Sequence, residues 1–315
     1  MQEHEKVAEI LLSEKLPFEH ASRLLTESGI IDPVRADKNI QLLAGRGPGY
    51  ELFCKILPHA LQCLREVADP DTALNNWERL VGALRDRESH FDSLVKRPRA
   101  LEVLLKIVGA SQYLADILIR RPRLFHETIE NDAWQEPVDY DMLCAELNAL
   151  IGTEPNYDVK LAALRDFKQR HMLGAGARDI CGEADVEQTL REMSSLAEVC
   201  VQAALRIAEA EVRARFGAPM GNDGAAEEAS AAVIAFGKLG GEELNYSSDI
   251  DLMFIYSHDG ETQPQMGGDA QAKSVANHEY FSKLAEKCID LLARQTDQGH
   301  LFRVDMRLRP MGSKG

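Results

Sequence analysis

The sequence predicts an α+β chain: a mostly helical N-terminal part followed by a smaller part with a mixed sheet. Residues 1–230 space their apolar side chains as amphipathic helices do, and strand-favouring residues are sparse there. Beyond residue 230 the period changes to short apolar runs bounded by turn residues, one of them strictly alternating. The chain has 315 residues, 45% hydrophobic and 28% charged, enough for one large or two smaller globular domains.

In the helical part, Tyr50 to Val67 carries Leu52, Phe53, Ile56, Leu57, Leu61 and Leu64 at helical spacing, with Pro58 expected to kink or split it. Leu74 to Leu84 and Ala100 to Val108 repeat the pattern. Ser111 is an expected N-cap for a helix through Leu114, Leu118 and Ile119 that stops before Pro122. Ser194 to Phe216 is a long amphipathic helix ended by Gly217 and Pro219. This gives a helical region over 1–215 and, by composition, a linker over 216–230.

In the remaining 231–315 core, AAVIAF (231–236) reads as a buried strand and DIDLMFIY (249–256) as a second. Residues 257–274 read as a loop, Val275 to Gln295 as a helix, and LFRVDMRLR (301–309) as a third strand. On that strand Phe302, Val304, Met306 and Leu308 face one way, and Arg303, Asp305, Arg307 and Arg309 the other.

Charge narrows the function. Against 36 basic residues stand 51 acidic ones, a net −15, which disfavours nucleic acid as a partner. No apolar stretch is long enough for a membrane span and the N-terminus has no secretory pattern, so a cytoplasmic protein is expected. The six cysteines are scattered without a CxxC pair, as reduced thiols would be, and Cys181, Cys200 and Cys288 fall on apolar faces. Lys96-Arg97-Pro98-Arg99 recurs as Arg120-Arg121-Pro122-Arg123; solvated helix ends are favoured over a docking surface for an acidic partner. His171, in a helix beside Arg170, reads as a packing or surface residue.

The informative segment is FGKLGGEELNYSSDIDLMFIY, residues 236–256. Asp249 and Asp251 are two apart on a strand and present both carboxylates on one face. Paired hard oxygen ligands suit Mg²⁺, which prefers one or two carboxylates plus substrate phosphates. Asp305, on the third strand, would complete a site able to hold two metals for in-line displacement at phosphorus. Arg303, Arg307 and Arg309 beside it match phosphate oxygens, and the paired glycines let the backbone approach a phosphate. Aspartates are depleted in apolar strands, so two within one demand a reason.

At these residues the chain resembles the polymerase-beta-like nucleotidyltransferase superfamily, whose hallmark is a Gly-Ser turn followed by Asp-x-Asp and a later Asp. More closely it resembles the bifunctional glutamine synthetase adenylyltransferase/adenylyl-removing family. That family carries GKLGGxELxxxSDxDL, present as Gly237 to Leu252, and RxDxRLRPxG, present as Arg303 to Gly312. LRDFKQRHMLGAGARDICG (164–182) and SQYLADILIRRPRLF (111–125) resemble its upstream helical region. The resemblance implies that Asp249, Asp251 and Asp305 ligate metal and that Gly240 and Gly241 form the phosphate-facing turn. Gly241 stands where the superfamily usually has Ser, so a side-chain hydroxyl contact is either lost or taken over by Ser247 or Ser248. Lys238 is either a phosphate partner or a solvated turn lysine.

The family's full chain holds two such domains. One removes AMP from an adenylylated tyrosine of glutamine synthetase, with phosphate in and ADP out; the other adds AMP from ATP. The single GKLGG segment, the initial Met and Asn245-Tyr246-Ser247-Ser248 point to the adenylyl-removing half, with a PII-type nitrogen-signalling protein as the implied regulator. The family's segment continues past Gly315, so a C-terminally truncated core is expected. The competing readings are the adenylylating half, another nucleotidyltransferase acting on a small molecule or an RNA end, and a non-catalytic docking fragment. Residues 231–315, with 9 basic against 12 acidic, argue against an RNA-end enzyme.

Overall fold

The computed structural model describes residues 7–8, 10–12, 18–152, 154, 156–222, 227–263, 274–296 and 299–305. The fold is α+β, helices followed by small sheets. Its contacts divide it into two units: residues up to Glu136 with Leu173–Asp185, and Pro137–Met172 with the residues from Val186 onward.

The first unit stacks short helices: α1 (Phe18–Glu27), α2 (Pro33–Ala44), α3 (Tyr50–Leu64), α4 (Pro70–Ala83), α5 (Arg87–Lys96), α6 (Pro98–Ala110) and α7 (Gln112–Arg120), then a π-helical turn, Phe125–Glu130. Their starts are written locally. Asp32, Asp69, Asp86 and Ser111 each accept a bond from the backbone three residues on, and Pro33, Pro70 and Pro98 occupy first turns. The expected Ser111 cap is present, accepting from the Leu114 amide at 3.3 Å. Pro58 does not split α3, which is one helix from Tyr50 to Leu64. Burial of Phe53, Ile56, Leu57, Ala60 and Leu61 around it outweighs the lost backbone bond. The rings of Trp77 and Phe91 pack on Phe53 with centroids 5.8 and 5.4 Å away, at the heart of this core. The basic echo lies on helix ends in exposed ion pairs: Lys96 with Asp92, Arg99 with Glu102 and Glu183, Arg123 with Glu127.

The second unit contains α8 (Tyr140–Gly152), the start of α9 (Tyr157–Cys181), α10 (Val186–Phe216), a one-turn helix α11 (Gly237–Gly240) and α12 (Asn277–Ala293). Strands β2 (Ala231–Phe236), β3 (Ile250–Tyr256) and β5 (Val304–Asp305) form one sheet in the order β2-β3-β5. The β2–β3 pairing is antiparallel and β3–β5 parallel, with α12 in the crossover. Of the expected third strand, 301–309, only Val304–Asp305 pairs among the described residues, and 306–309 lie outside them.

Two stretches expected to be irregular carry strands. Ala218–Gly221 (β1), inside the expected linker, pairs antiparallel with Gly260–Gln263 (β4), inside the expected loop. Glycine makes this pairing possible: a Cβ on Gly260 would sit 1.9 Å from the Met220 carbonyl oxygen. The Asn277 amide then donates to the carbonyls of Met220 and His258, at 3.0 and 2.9 Å. Residues 264–273 of that loop lie outside the described residues.

Candidate functional site

The site is built on β3, the central strand. The parallel register sets Asp251 opposite Asp305 and Ile250 opposite Val304. Neighbouring strands lie about 4.8 Å apart, so the two carboxylates stand side by side on one face. Asp249 directly precedes β3 and shares that face by the two-residue period. Its carboxylate is engaged: the Arg303 Nε donates to Asp249 at 2.5 Å, and Arg303 Nη2 donates to the Ser247 carbonyl at 2.9 Å. Arg303 ties the strand leading to Asp305 to the turn leading to Asp251. Both members of the pair are more than half exposed, so the bond orients more than it stabilises.

The turn between β2 and β3 follows from its glycines. Gly237 has φ +55°, and a Cβ there would lie 2.4 Å from Oδ2 of Asp251. The backbone therefore comes up against the Asp251 carboxylate at Gly237. Gly240 is needed for close packing, because its Cβ would lie 2.6 Å from the Ala235 carbonyl oxygen. Gly241 has only ordinary contacts, the nearest Glu243 Cγ at 3.4 Å. Lys238 is exposed. Ser248 Oγ donates to the Asn245 side chain at 2.6 Å, and Ser247 enters through its carbonyl. Arg307 and Arg309 lie outside the described residues.

Two supports are not signalled by the motif. Ser194 of α10, 1% exposed, accepts from the Leu244 amide at 3.1 Å and donates to the Leu190 carbonyl at 2.8 Å, fixing the turn to the long helix. Lys168 of α9, 4% exposed, donates to the Leu301 carbonyl just ahead of β5. His171 pairs with Glu146 at 2.9 Å, and Arg170 pairs with the same carboxylate. Burial works to raise the Glu146 pKa, and these two partners outweigh it and hold it below the usual carboxylate range.

The donor set suits a hard divalent cation in part. Asp251 and Asp305 supply adjacent carboxylates, leaving the remaining positions to phosphate oxygens and water, as Mg²⁺ prefers. Among the described residues no three His, Cys, Asp or Glu side chains converge on one point, and Asp249 is bonded to Arg303. A cleft of about 1040 Å³ between Gly45–Leu52 and Asp86–Asp92 contains none of these residues. Among the described residues no helix is long and apolar enough to cross a membrane.

Residues 101–315 match the family model described as glutamate-ammonia ligase adenylyltransferase. The chain is 33% identical over 307 residues to a bifunctional glutamine synthetase adenylyltransferase/adenylyl-removing enzyme of Thioalkalivibrio sulfidiphilus, covering 94% of this chain and 31% of that protein. It is 32% identical over 314 residues to the enzyme so named in Pseudomonas aeruginosa, covering 97% and 32%. With the Burkholderia mallei protein of that name it shares 41% identity over 209 residues, covering 65% and 22%. The chain thus spans about a third of the length of the first two relatives. The matched region takes in α9, the glycine turn, Asp249, Asp251 and Asp305, so the chain belongs to the glutamate-ammonia ligase adenylyltransferase family.

Proposed function

We propose that this chain carries the adenylyl-removing activity: metal-dependent phosphorolysis of adenylyl-tyrosine on glutamine synthetase, with phosphate consumed and ADP released. The observation that supports metal-dependent transfer at phosphorus is the register of Asp251 with Asp305 beside the tight turn at Gly237, and the segment Asn245-Tyr246-Ser247-Ser248 is what favours the adenylyl-removing half. In the reaction a phosphate oxygen bonds to the phosphorus of the tyrosine-linked AMP. The bond from phosphorus to the tyrosine oxygen breaks, and the tyrosine oxygen takes up the proton that the attacking hydrogen phosphate gives up.

Bound Mg²⁺, as one ion or two, supplies neutralisation of charge on the transferring phosphoryl group. Asp251 and Asp305 would hold it together with Asp249, and Arg303, Arg307, Arg309 and Lys238 would be available to phosphate oxygens. The backbone of the Gly237–Gly241 turn, with Ser247 and Ser248, lines the phosphate side. The protein substrate is cytoplasmic glutamine synthetase, and the regulator is a PII-type nitrogen-signalling protein.

The test is ADP formation from adenylylated glutamine synthetase with Mg²⁺ and phosphate, beside an Asp251→Asn control. Phosphate-dependent ADP release, reduced at least ~1000-fold in the control, is expected. AMP transfer from ATP onto unmodified glutamine synthetase, without ADP release, would assign the chain to the adenylylating half instead.

A further inference from the structure

We propose that Lys168 is a positioning residue for the acidic pair, holding the chain that returns from α12 so that Asp305 comes to rest beside Asp251. The inference rests on the reading of the acidic pair given under Proposed function.

Parallel pairing of β5 with β3 requires the chain to travel back along the sheet through α12, and the last steps of that return decide the register. Leu301 and Phe302 both direct their amides to the Leu292 carbonyl, each at 3.0 Å, which closes the turn after α12. The Leu301 carbonyl points away into the protein, where Lys168 Nζ donates to it. The same ammonium lies 4.5 Å from the centre of the Phe302 ring, a cation–π distance. Three residues earlier on α9, Arg165 Nη2 donates to the Arg294 carbonyl at 3.3 Å. Two cations one helical turn apart thus grip both ends of the return, at residues 294 and 301. Past this anchor, the Arg303 carbonyl accepts from the Ile250 amide at 2.9 Å, the Arg303 side chain reaches Asp249, and Asp305 falls opposite Asp251.

An amine 4% exposed is an expensive group to keep for packing alone. Lys168 forms no ion pair among the described residues; the groups facing it are Cys200 of α10, His300, the Leu301 carbonyl and the Phe302 ring. An apolar residue would fill the volume at lower cost but would leave the Leu301 carbonyl without its donor. What lysine adds is the anchor point.

The experiment compares the full chain with Lys168→Met, which keeps the volume, and Lys168→Gln, which keeps an N–H donor without the charge. Hydrogen exchange of the peptide spanning 299–305 is read first. Exchange roughly 10-fold or more faster in Lys168→Met, with Lys168→Gln closer to the parent chain, is the expected result. In the ADP-release assay Lys168→Met should lower kcat by roughly 10-fold while KM for phosphate and for the protein substrate stays within about 2-fold. Unchanged exchange in both variants overturns the inference. So does loss of helical circular dichroism in both, because Lys168 would then serve the whole fold rather than this segment. Absence of ADP release from the parent chain counts against the functional reading, while the exchange comparison still judges the anchor.

Discussion

Gly237 and Gly241 bracket one short turn and answer to different constraints. At Gly237 the positive φ and the Asp251 oxygen leave no room for a side chain. At Gly241, φ is −93° and the nearest atoms of Glu243 lie at ordinary contact distance. Gly237→Ala should therefore cost about 1–2 kcal/mol of stability, read by urea denaturation, and lower kcat at least ~10-fold by displacing the Asp251 carboxylate. Gly241→Ala should stay within about 0.5 kcal/mol of the parent. Equal effects at both positions would refute the close-approach argument. Sequence points to this turn through its cluster of glycines but ranks the pair Gly240 and Gly241 above Gly237, because which glycine meets a carboxylate depends on how the turn folds back over β3. The shared face of Asp249 and Asp251 is legible, since the two-residue period of a strand dictates it. The pairing of Asp249 with Arg303 is not, because it depends on the register of a strand more than fifty residues away.

Among the elements, α10 does more than its amphipathic pattern announces. Its Ser194 hydroxyl is the fixed point to which the Leu244 amide is tied. Ser194→Ala removes that acceptor and leaves a buried amide unsatisfied, so a loss of about 1–3 kcal/mol is expected, measured as the shift of the urea midpoint. A loss below about 0.5 kcal/mol would mean that the turn is held by something else. Helices were legible in proportion to their apolar stripe: α3, α4, α6, α7 and α12 fall within a few residues of where periodicity puts them. Strands β1 and β4 are not legible. Each has only four residues, they are rich in Gly and Pro or in polar groups, and they exist by pairing with each other. Local composition reads such segments as linker, and only the long-range partner makes them strands.

For the whole molecule, titration at alkaline pH sets opposing trends. Burial brings the Lys168 amine down to about 8, against 10.5 for the free group. Between those values the unfolded chain binds the extra proton, so this group makes stability rise with pH. Burial pushes Cys63, Cys200 and Cys288 up to about 12 from 9.0. Above 9 the folded chain holds those protons longer, so these groups make stability fall. One group contributes at most about 1.4 kcal/mol per pH unit. Three thiols oppose one amine, so the two trends nearly cancel up to about pH 9 and stability then declines. Urea midpoints at about pH 7, 9 and 10.5 test this, and Lys168→Met should bring the decline below about pH 9.

The order in which the chain visits its two units has a consequence for how such a protein can be inherited. The chain leaves the first unit after Glu136, returns to it for Leu173–Asp185 and leaves again at Val186, so each unit is assembled from separated stretches of gene. A single crossover, even at the glycine-rich stretch before β2, would carry the acidic pair away from Lys168 and Ser194, which secure its two flanks. Recombination between relatives therefore keeps the acidic pair with its native Lys168 and Ser194 only when the exchanged tract begins upstream of α8, and that exchange parts Leu173–Asp185 from the rest of the first unit. Chimaeras joined near residue 137 should keep more activity than those joined near 225.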